Sequence, residues 1–501
     1  MLFEYQHIPE WPPLAWLAMW QKTSRTITVH HGPRVETHAG WFCEAVWAGE
    51  YASGGFDLTD IVSGSGGRIR DGSITYVSSA STVDRLVSTQ INDRFFVSNS
   101  LPCLLAAADG SVDPAYPGYY EDLITIIHGL DRYRPFISST IGTIRLTYFD
   151  NLLWNGKDLK VEAKPAICRN FDSFKHYRTF LSGSLTLLAE NMGARERKYP
   201  YRMLSTLSSG YDSPTVTVLA KEAGCSEAIC IDKARGGSDE AGEVIASFLG
   251  IHPLRVERNS WRETSLPEPP FILGEGMGTD IPFKSAENAL RGRVFLTGYH
   301  GDAVWAKKGK YLSEKIVRGD PSGLSLTEYR LWPGFIHCPL PFFGVKNIQS
   351  INAISNSCEM RPWDVSGDYT RPICRRLVEE AGVPREFFGQ QKAVAGVLFD
   401  ELLTPSSMER YLDWIKEHRR AWFRQGRFPP PASAEFEAWL EQHKDSMKRK
   451  LLRTPVLWRL GQDYPDALVR PSWLRRYLFG WALHVTKEKY RIGLKEASIH
   501  E

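Results

Sequence analysis

Residues 203–213 read Met-Leu-Ser-Thr-Leu-Ser-Ser-Gly-Tyr-Asp-Ser, and this stretch decides the fold class of the second half of the chain. Its apolar start predicts a buried strand, and residues 214–223 predict a helix that stops before Gly224. Two more strands are predicted at residues 228–231 and 254–257, with a helix between them. Strands and helices that alternate at this spacing form a parallel sheet with right-handed crossovers.

The loop between the first of these strands and its helix has the composition of an anion site. It offers three hydroxyl groups, those of Ser208, Ser209 and Ser213, and Gly210 allows a tight backbone. The unpaired N–H groups and the dipole at the start of the following helix attract negative charge. Asp212 fits such a site only if a cation accompanies the anion, and its hard oxygen ligands suit Mg²⁺ that arrives with ATP.

The chain is predicted to have three parts, of which the alternating α/β domain is the middle one. Residues 1–172 are rich in short runs of β-branched and aromatic residues separated by turn formers, which predicts a β-rich first domain. Residues 173–404 form the alternating α/β domain. Residues 405–501 predict a helical C-terminal part that is rich in Trp and Arg. The expected fold class is therefore α/β and α+β.

Composition narrows the function classes. The 61 Lys and Arg residues nearly balance the 58 Asp and Glu residues, so no overall positive field favours nucleic acid as a partner. None of the eight Cys residues forms a Cys-x-x-Cys pair, which argues against a zinc site. There is neither a signal-peptide pattern nor an 18-residue apolar run, so we expect a cytoplasmic protein without membrane contact.

The loop at residues 207–213 resembles the Ser-Gly-Gly-x-Asp-Ser pyrophosphate loop of the N-type ATP pyrophosphatases. Ser208, Gly210, Asp212 and Ser213 occupy positions of that motif, and Ser209 replaces its first Gly. The resemblance implies an adenine nucleotide α-hydrolase-like (PP-loop) domain. It also implies that the next strand contacts adenine, which makes Ile231 a candidate nucleotide contact.

Two later segments resemble the asparagine synthetase family. Residues 295–302 (Phe-Leu-Thr-Gly-Tyr-His-Gly-Asp) are similar to its second signature, in which Asp302 would bind Mg²⁺, although Ala303 stands where Glu is usual. Residues 383–392, preceded by Arg376, resemble the late segment that carries an active-site lysine, here Lys392. The acidic stretch 238–240 (Ser-Asp-Glu) is similar to the start of a helix in these enzymes.

The first domain resembles the Ntn-hydrolase-like glutaminase domain of asparagine synthetases in a degenerate form. The family's nucleophile is the Cys directly after the initiator Met, and this chain has Leu2 there. Cys43 lies inside a predicted strand, where core packing is the simpler interpretation. The resemblance thus implies a retained scaffold without glutamine hydrolysis.

A glutaminase-deficient chain of this type resembles the ligase branch of the family, which includes β-lactam synthetase, carbapenam synthetase and the cyclases of lasso peptides. In the β-lactam-forming enzymes a Tyr three residues before the second Mg²⁺-binding Asp pairs with a Glu and deprotonates the amine. Tyr299 matches that Tyr, and Glu328 or else Glu359 is the candidate partner. Lys392 would stabilise the charge that develops when the acyl-adenylate is attacked.

The expected function is therefore an ATP- and Mg²⁺-dependent ligase that adenylates a carboxylate, releases pyrophosphate and couples the acyl group to an amine. The carboxylate substrate could be a small molecule or a peptide, and residues 280–282 and 335–343 would shape its pocket. An ammonia-dependent amide synthetase, a tRNA-modifying pyrophosphatase and a non-catalytic nucleotide-binding scaffold are the alternatives. For the assembly state, a homodimer and a complex with a partner protein of a biosynthetic pathway are both open alternatives.

Overall fold

The computed structural model describes residues 1–167, 169–233, 241–365, 367, 369–390, 402–424 and 472–497. Its strands are β1 (Leu2–His7), β2 (Trp16–Gln21), β3 (Thr26–His31), β4 (Glu36–His38), β5 (Trp41–Trp47), β6 (Val62–Arg70), β7 (Ser73–Val77), β8 (Arg85–Ile91), β9 (Arg94–Ser98), β10 (Phe136–Ser139), β11 (Gly142–Tyr148), β12 (Asn151–Trp154), β13 (Leu159–Glu162), β14 (Arg202–Thr206), β15 (Glu227–Ile231), β16 (His252–Val256), β17 (Arg293–Thr297) and β18 (Ile336–Pro339).

Besides short 3₁₀ helices, the described residues form α-helices. They are α1 (Leu101–Ala107), α2 (Tyr119–Leu123), α3 (Phe174–Met192), α4 (Asp212–Glu222), α5 (Gly242–Leu249), α6 (Pro269–Glu275), α7 (Glu287–Leu290), α8 (Gly301–Val304), α9 (Leu326–Tyr329), α10 (Ile348–Ser355), α11 (Pro372–Glu380), α12 (Pro405–Arg424) and α13 (Ser472–Ala497). No helix of the described ranges is long and apolar enough to cross a membrane.

The N-terminal region is a sandwich of two mainly antiparallel sheets. One sheet has the order β1-β3-β2-β9-β8-β11-β10, with β1 and β3 parallel, and the other has the order β13-β12-β7-β6-β5-β4. Buried aromatic side chains from both sheets contact one another: the Trp16 ring on β2 lies 5.0 Å from that of Phe42 on β5 and stacks on Tyr76 of β7. This core confirms that the N-terminal region is rich in β-structure.

The second region contains a five-stranded parallel sheet with the order β16-β15-β14-β17-β18. The chain runs outward from β14 through β15 to β16 and then returns to the other side of β14 with β17. Ligands of open parallel sheets bind where the strand order reverses, beyond the carboxyl ends of the strands. The predicted parallel sheet is confirmed, and its switch point lies between β14 and β17.

The two regions pack closely against each other. Apolar residues from both regions form one continuous buried cluster, and the aromatic core of the sandwich is a second cluster. Between them, Arg330 donates to both carboxylate oxygens of Glu44, at 2.6 and 3.0 Å, and to Asp84 at 3.1 Å. Asn99 donates to the same Glu44 at 3.2 Å. We call Glu44, Asp84, Asn99 and Arg330 the interface network.

Candidate functional site

The loop at residues 207–211 follows β14 and is held by its own serine side chains. The backbone N–H of Ser208 donates to Oγ of Ser213 at 3.0 Å, and the two serine hydroxyl oxygens lie 2.7 Å apart. The N–H of Gly210 makes a longer bond of 3.4 Å to Oγ of Ser208. These bonds curl the loop over the first turn of α4, so the start of that helix faces the carboxyl edge of the sheet.

Asp212 is the first residue of α4, and the loop after β17 presses against it. A Cβ added to Gly298 would lie 2.5 Å from Cβ of Asp212, and one added to Gly301 would lie 2.6 Å from its Cγ. Only glycine fits at such distances, which explains the Gly-x-x-Gly spacing just before Asp302. Two loops that are 90 residues apart in sequence therefore meet at the switch point of the sheet, and both carry a predicted metal-binding carboxylate.

The carboxylate of Asp212 forms an ion pair with the guanidinium of Arg371. Arg371 precedes α11, is 5% exposed and lies over the rings of Tyr211 and Tyr369. Burial alone would lower the pKa of Arg371, but the charge of Asp212 and the hydrogen bond to it raise that pKa above its usual value. The sequence resemblance pointed to Arg376 in this segment and gave no sign of Arg371. The Arg376 side chain forms ion pairs with Glu359 and Glu380.

Tyr299 pairs with an aspartate. Its hydroxyl donates to Oδ1 of Asp280 at 2.7 Å. The other oxygen of Asp280 accepts hydrogen bonds from Oγ of Ser325 at 2.6 Å and from the N–H of Gly323 at 2.9 Å, which fixes the carboxylate in place. Burial raises the pKa of Asp280 above its usual value, and burial together with the Asp280 charge raises the pKa of Tyr299.

The expected pairing of Tyr299 with a glutamate is not formed, so that interpretation needs correction. Glu328 on α9 instead accepts hydrogen bonds from the hydroxyl of Tyr490 at 2.7 Å and from Nε1 of Trp332 at 3.3 Å. Glu359 accepts from the N–H of Phe174 at 2.9 Å, at the start of α3. Both glutamates are therefore occupied by contacts that join helices.

Lys392 and residues 238–240 lie outside the described residues, so their predicted roles stay predictions. The chain that leads to Lys392 is described as far as Gln390. The N–H of Gly389 donates to the carbonyl of Ser209 at 2.7 Å. A Cβ on Gly389 would lie 2.4 Å from the Tyr211 ring, and its φ of 65° is also typical of glycine. This segment thus lies directly against the loop at residues 207–211.

Ile231 ends β15, the strand next to β14. The carbonyl of Ile229 on the same strand accepts a hydrogen bond of 2.9 Å from the N–H of Leu207. The predicted adenine contact therefore lies at the same edge of the sheet as the serine loop.

The metal-binding expectation concerns Asp212 and Asp302. Among the described residues, no group of three His, Cys, Asp or Glu side chains could hold a metal ion. Two carboxylates on touching loops still fit Mg²⁺, because this ion usually takes one or two protein carboxylates together with substrate phosphates and water.

The first region offers no exposed thiol at Cys43. This residue is fully buried on β5, and burial raises the pKa of its thiol to about 12. A thiol in that environment stays protonated at neutral pH and is a poor nucleophile. Leu2 starts the edge strand β1.

Comparison with known proteins does not extend these observations. No family model matches the chain, and no curated protein matches it.

Proposed function

We propose that this protein is an ATP- and Mg²⁺-dependent ligase of the asparagine synthetase type, which adenylates a carboxylate and then joins it to an amine. Within this proposal the sandwich corresponds to a degenerate Ntn-hydrolase-like glutaminase domain, and the parallel-sheet region corresponds to a PP-loop synthetase domain. The observation that best supports this function is the contact of Asp212 with Gly298 and Gly301, because it joins the two signature loops at the switch point of the sheet.

In the first step, a carboxylate oxygen attacks the α-phosphorus of ATP, and the bond to pyrophosphate breaks. The N–H groups at the start of α4 and the hydroxyls of Ser208, Ser209 and Ser213 would bind the phosphates. Asp212 and Asp302 would hold Mg²⁺, which neutralises charge that develops on the phosphates. Arg371 pairs with Asp212 and offers a second cation at the same loop.

In the second step, the amine nitrogen attacks the acyl carbon, and AMP leaves. The attacking amine must lose a proton. Tyr299 can pass that proton to Asp280 along the 2.7 Å hydrogen bond. Burial raises the pKa of Asp280, and a raised pKa makes this carboxylate a better proton acceptor than an exposed one. Lys392 keeps its expected role of stabilising the oxyanion.

The proposal is tested by measuring pyrophosphate release from ATP in the presence of Mg²⁺ and a panel of carboxylates. The panel includes amino acids, β-amino acids and short peptides, each with and without added ammonia. Carboxylate-dependent pyrophosphate release supports a ligase, and release that requires ammonia identifies an amide synthetase. Binding of ATP without pyrophosphate release from any carboxylate would favour the nucleotide-binding scaffold instead.

A further inference from the structure

Arg318 is a buried arginine whose hydrogen bonds are incomplete. Its side chain is 3% exposed, and its Nη2 donates to the carbonyl of Ser322. In the described part of the chain, Nε and Nη1 have no hydrogen-bond partner. These two nitrogens carry three N–H groups, so the guanidinium has the capacity to bind a further oxygen-bearing group. Most buried donors are paired with protein atoms or ordered water, so two unpaired nitrogens on one side chain need an explanation.

The backbone holds Arg318 in this position. The N–H of Arg318 donates to the carbonyl of Ile127 at 2.8 Å, which ties the loop to the N-terminal region. Two residues earlier, Ile316 is fully buried and has a φ of 58°. A β-branched residue is strained in the left-handed region, so the surrounding packing must impose this conformation.

His300 lies beside Arg318 and is also a buried side chain whose nitrogens lack hydrogen-bond partners within the described ranges. Its ring stacks on the ring of Phe342 with centroids 4.9 Å apart, and the Arg318 guanidinium lies 5.9 Å from that same ring. His300 is 5% exposed, and neither of its ring nitrogens has a hydrogen-bond partner among the described residues. A neutral imidazole has one N–H donor, which adds to those of Arg318.

We propose that Arg318 and His300 form a binding site for the carboxylate group of the substrate. Arg318 donates to the carbonyl of Ser322. The next residue, Gly323, donates to Asp280, so Arg318 lies near the proposed proton acceptor. His300 of the second signature loop packs against the same phenylalanine ring as Arg318. An acyl group that is adenylated and then attacked by an amine must lie in that position. The inference rests on the proposed function for its role in catalysis, but its binding test requires no turnover.

The charges nearby distinguish a carboxylate from a phosphate at this site. Asp320, Asp302 and Asp280 all act electrostatically on Arg318, so the surroundings of its guanidinium are already rich in negative charge. A highly charged phosphate would be repelled more strongly there than a carboxylate. The serine loop and Arg371 provide a separate place for phosphates. Arg318 and His300 therefore bind the carboxylate, whereas the loop at residues 207–211 serves the nucleotide.

The test measures the melting temperature of the full-length protein as sodium malonate is added, with sodium chloride at matched ionic strength as the reference. Malonate should stabilise the wild-type protein, because a ligand that binds the folded state raises its stability. Arg318→Met should weaken the apparent malonate affinity by about tenfold or more, as expected when a charged hydrogen-bond donor is lost.

Further variants keep the test decisive. Arg318→Lys retains the charge. His300 has a φ of 74°, which asparagine also tolerates, so His300→Asn keeps the backbone conformation. Both variants should lose malonate affinity even if Arg318→Met fails to fold. Arg85→Lys is the matched control. Arg85 is equally buried, but its Nη atoms already donate to Tyr148, Gly274 and Leu273, so its replacement should leave the malonate response unchanged.

A second titration uses MgATP with the same variants. Arg318→Lys and His300→Asn should bind MgATP within about twofold of the wild-type affinity, because the proposal assigns phosphates to the other loop. Equal malonate responses in wild type and in these variants, or no response in any of them, would overturn the inference. A tenfold loss of MgATP affinity would overturn it as well, since the site would then bind phosphate. If malonate binding depends on Arg318 while wild type binds no MgATP, the carboxylate site stands and the proposed ligase function fails.

Discussion

The interface network and the carboxyl edge of the parallel sheet both bury arginine beside carboxylates, but they use the arginine differently. In the interface network, Arg330 donates to Glu44 and Asp84 from all three of its nitrogens. At the carboxyl edge, Arg318 interacts with Asp302 and Asp280 without donating from Nε or Nη1 to any described residue. A buried arginine whose three nitrogens all donate holds its neighbours in place, whereas unsatisfied donors at a switch point indicate a place for a ligand.

The largest effect is expected from replacing the two predicted metal-binding carboxylates. Asp302→Asn and Asp212→Asn should each abolish turnover, because loss of Mg²⁺ coordination in a triphosphate site removes several kcal/mol of charge stabilisation. Pyrophosphate release, measured with the best carboxylate of the panel, checks this expectation. A variant that keeps a near-native rate would show that these loops do not share one metal ion.

Removal of the arginine from the interface network should reduce stability. Arg330→Met should lower the free energy of unfolding by about 3–5 kcal/mol, because it leaves Glu44 and Asp84 buried without their cation. Urea unfolding of this variant is compared with that of Arg178→Met. Arg178 forms half-exposed ion pairs with Glu222 and Glu380, and its loss should cost at most about 1 kcal/mol. Equal losses in the two variants would remove the distinction between the regions.

Tyr299 and Asp280 should affect the second chemical step selectively. Tyr299→Phe and Asp280→Asn should each slow product formation by about a hundredfold, since a general base typically contributes that much or more. Exchange of labelled pyrophosphate into ATP should fall much less, because that exchange reports adenylation alone. Lys392→Ala should show the same split, on the scale of one lost oxyanion donor.

An equal loss of both activities in these three variants would assign their side chains to ATP or carboxylate binding. The proposed route of the amine proton would then be wrong.

Glu328 should affect stability and leave catalysis unchanged. Burial raises the pKa of Glu328 from 4.5 to about 6, so the folded state binds its proton more tightly than the unfolded state does. The charged form therefore costs stability, and this cost grows as the pH rises from 4.5 to 6 and then stays constant. Glu328→Gln should stabilise the protein by about 2 kcal/mol above that window, and have no such effect below pH 4.

Thermal unfolding of wild type and Glu328→Gln between pH 4 and pH 8 measures this difference. The glutamine can still accept a hydrogen bond from Tyr490, which separates the loss of charge from the loss of the contact. A large decrease in product formation by this variant would restore Glu328 as a catalytic residue and contradict the pairing of Tyr299 with Asp280.

Local sequence signals predicted much of the parallel sheet. Apolar runs and residues typical of helix ends predicted the bounds of β14, α4 and β15 to within a few residues. Each of these elements depends on residues that are neighbours in sequence. The antiparallel, aromatic-rich N-terminal region also followed from its composition.

The contacts within the site were harder to predict. Asp280 precedes Tyr299 by 19 residues, and Arg371 follows Asp212 by 159. Such pairs depend on how loops from different strands converge. The local periodicity of the sequence does not predict which loops meet. One signal was present in the sequence: Gly298 and Gly301 are both required by the close approach of Asp212.

The central claim is that the carboxylate itself becomes bonded to the α-phosphorus of ATP. The most direct measurement follows ¹⁸O from a labelled carboxylate substrate into the products of a complete reaction with ATP, Mg²⁺ and the amine. Adenylation predicts that one labelled oxygen appears in AMP for each amide formed, because amine attack breaks the bond between the acyl carbon and that oxygen. Label in inorganic phosphate, with ADP as the nucleotide product, would contradict the proposed function.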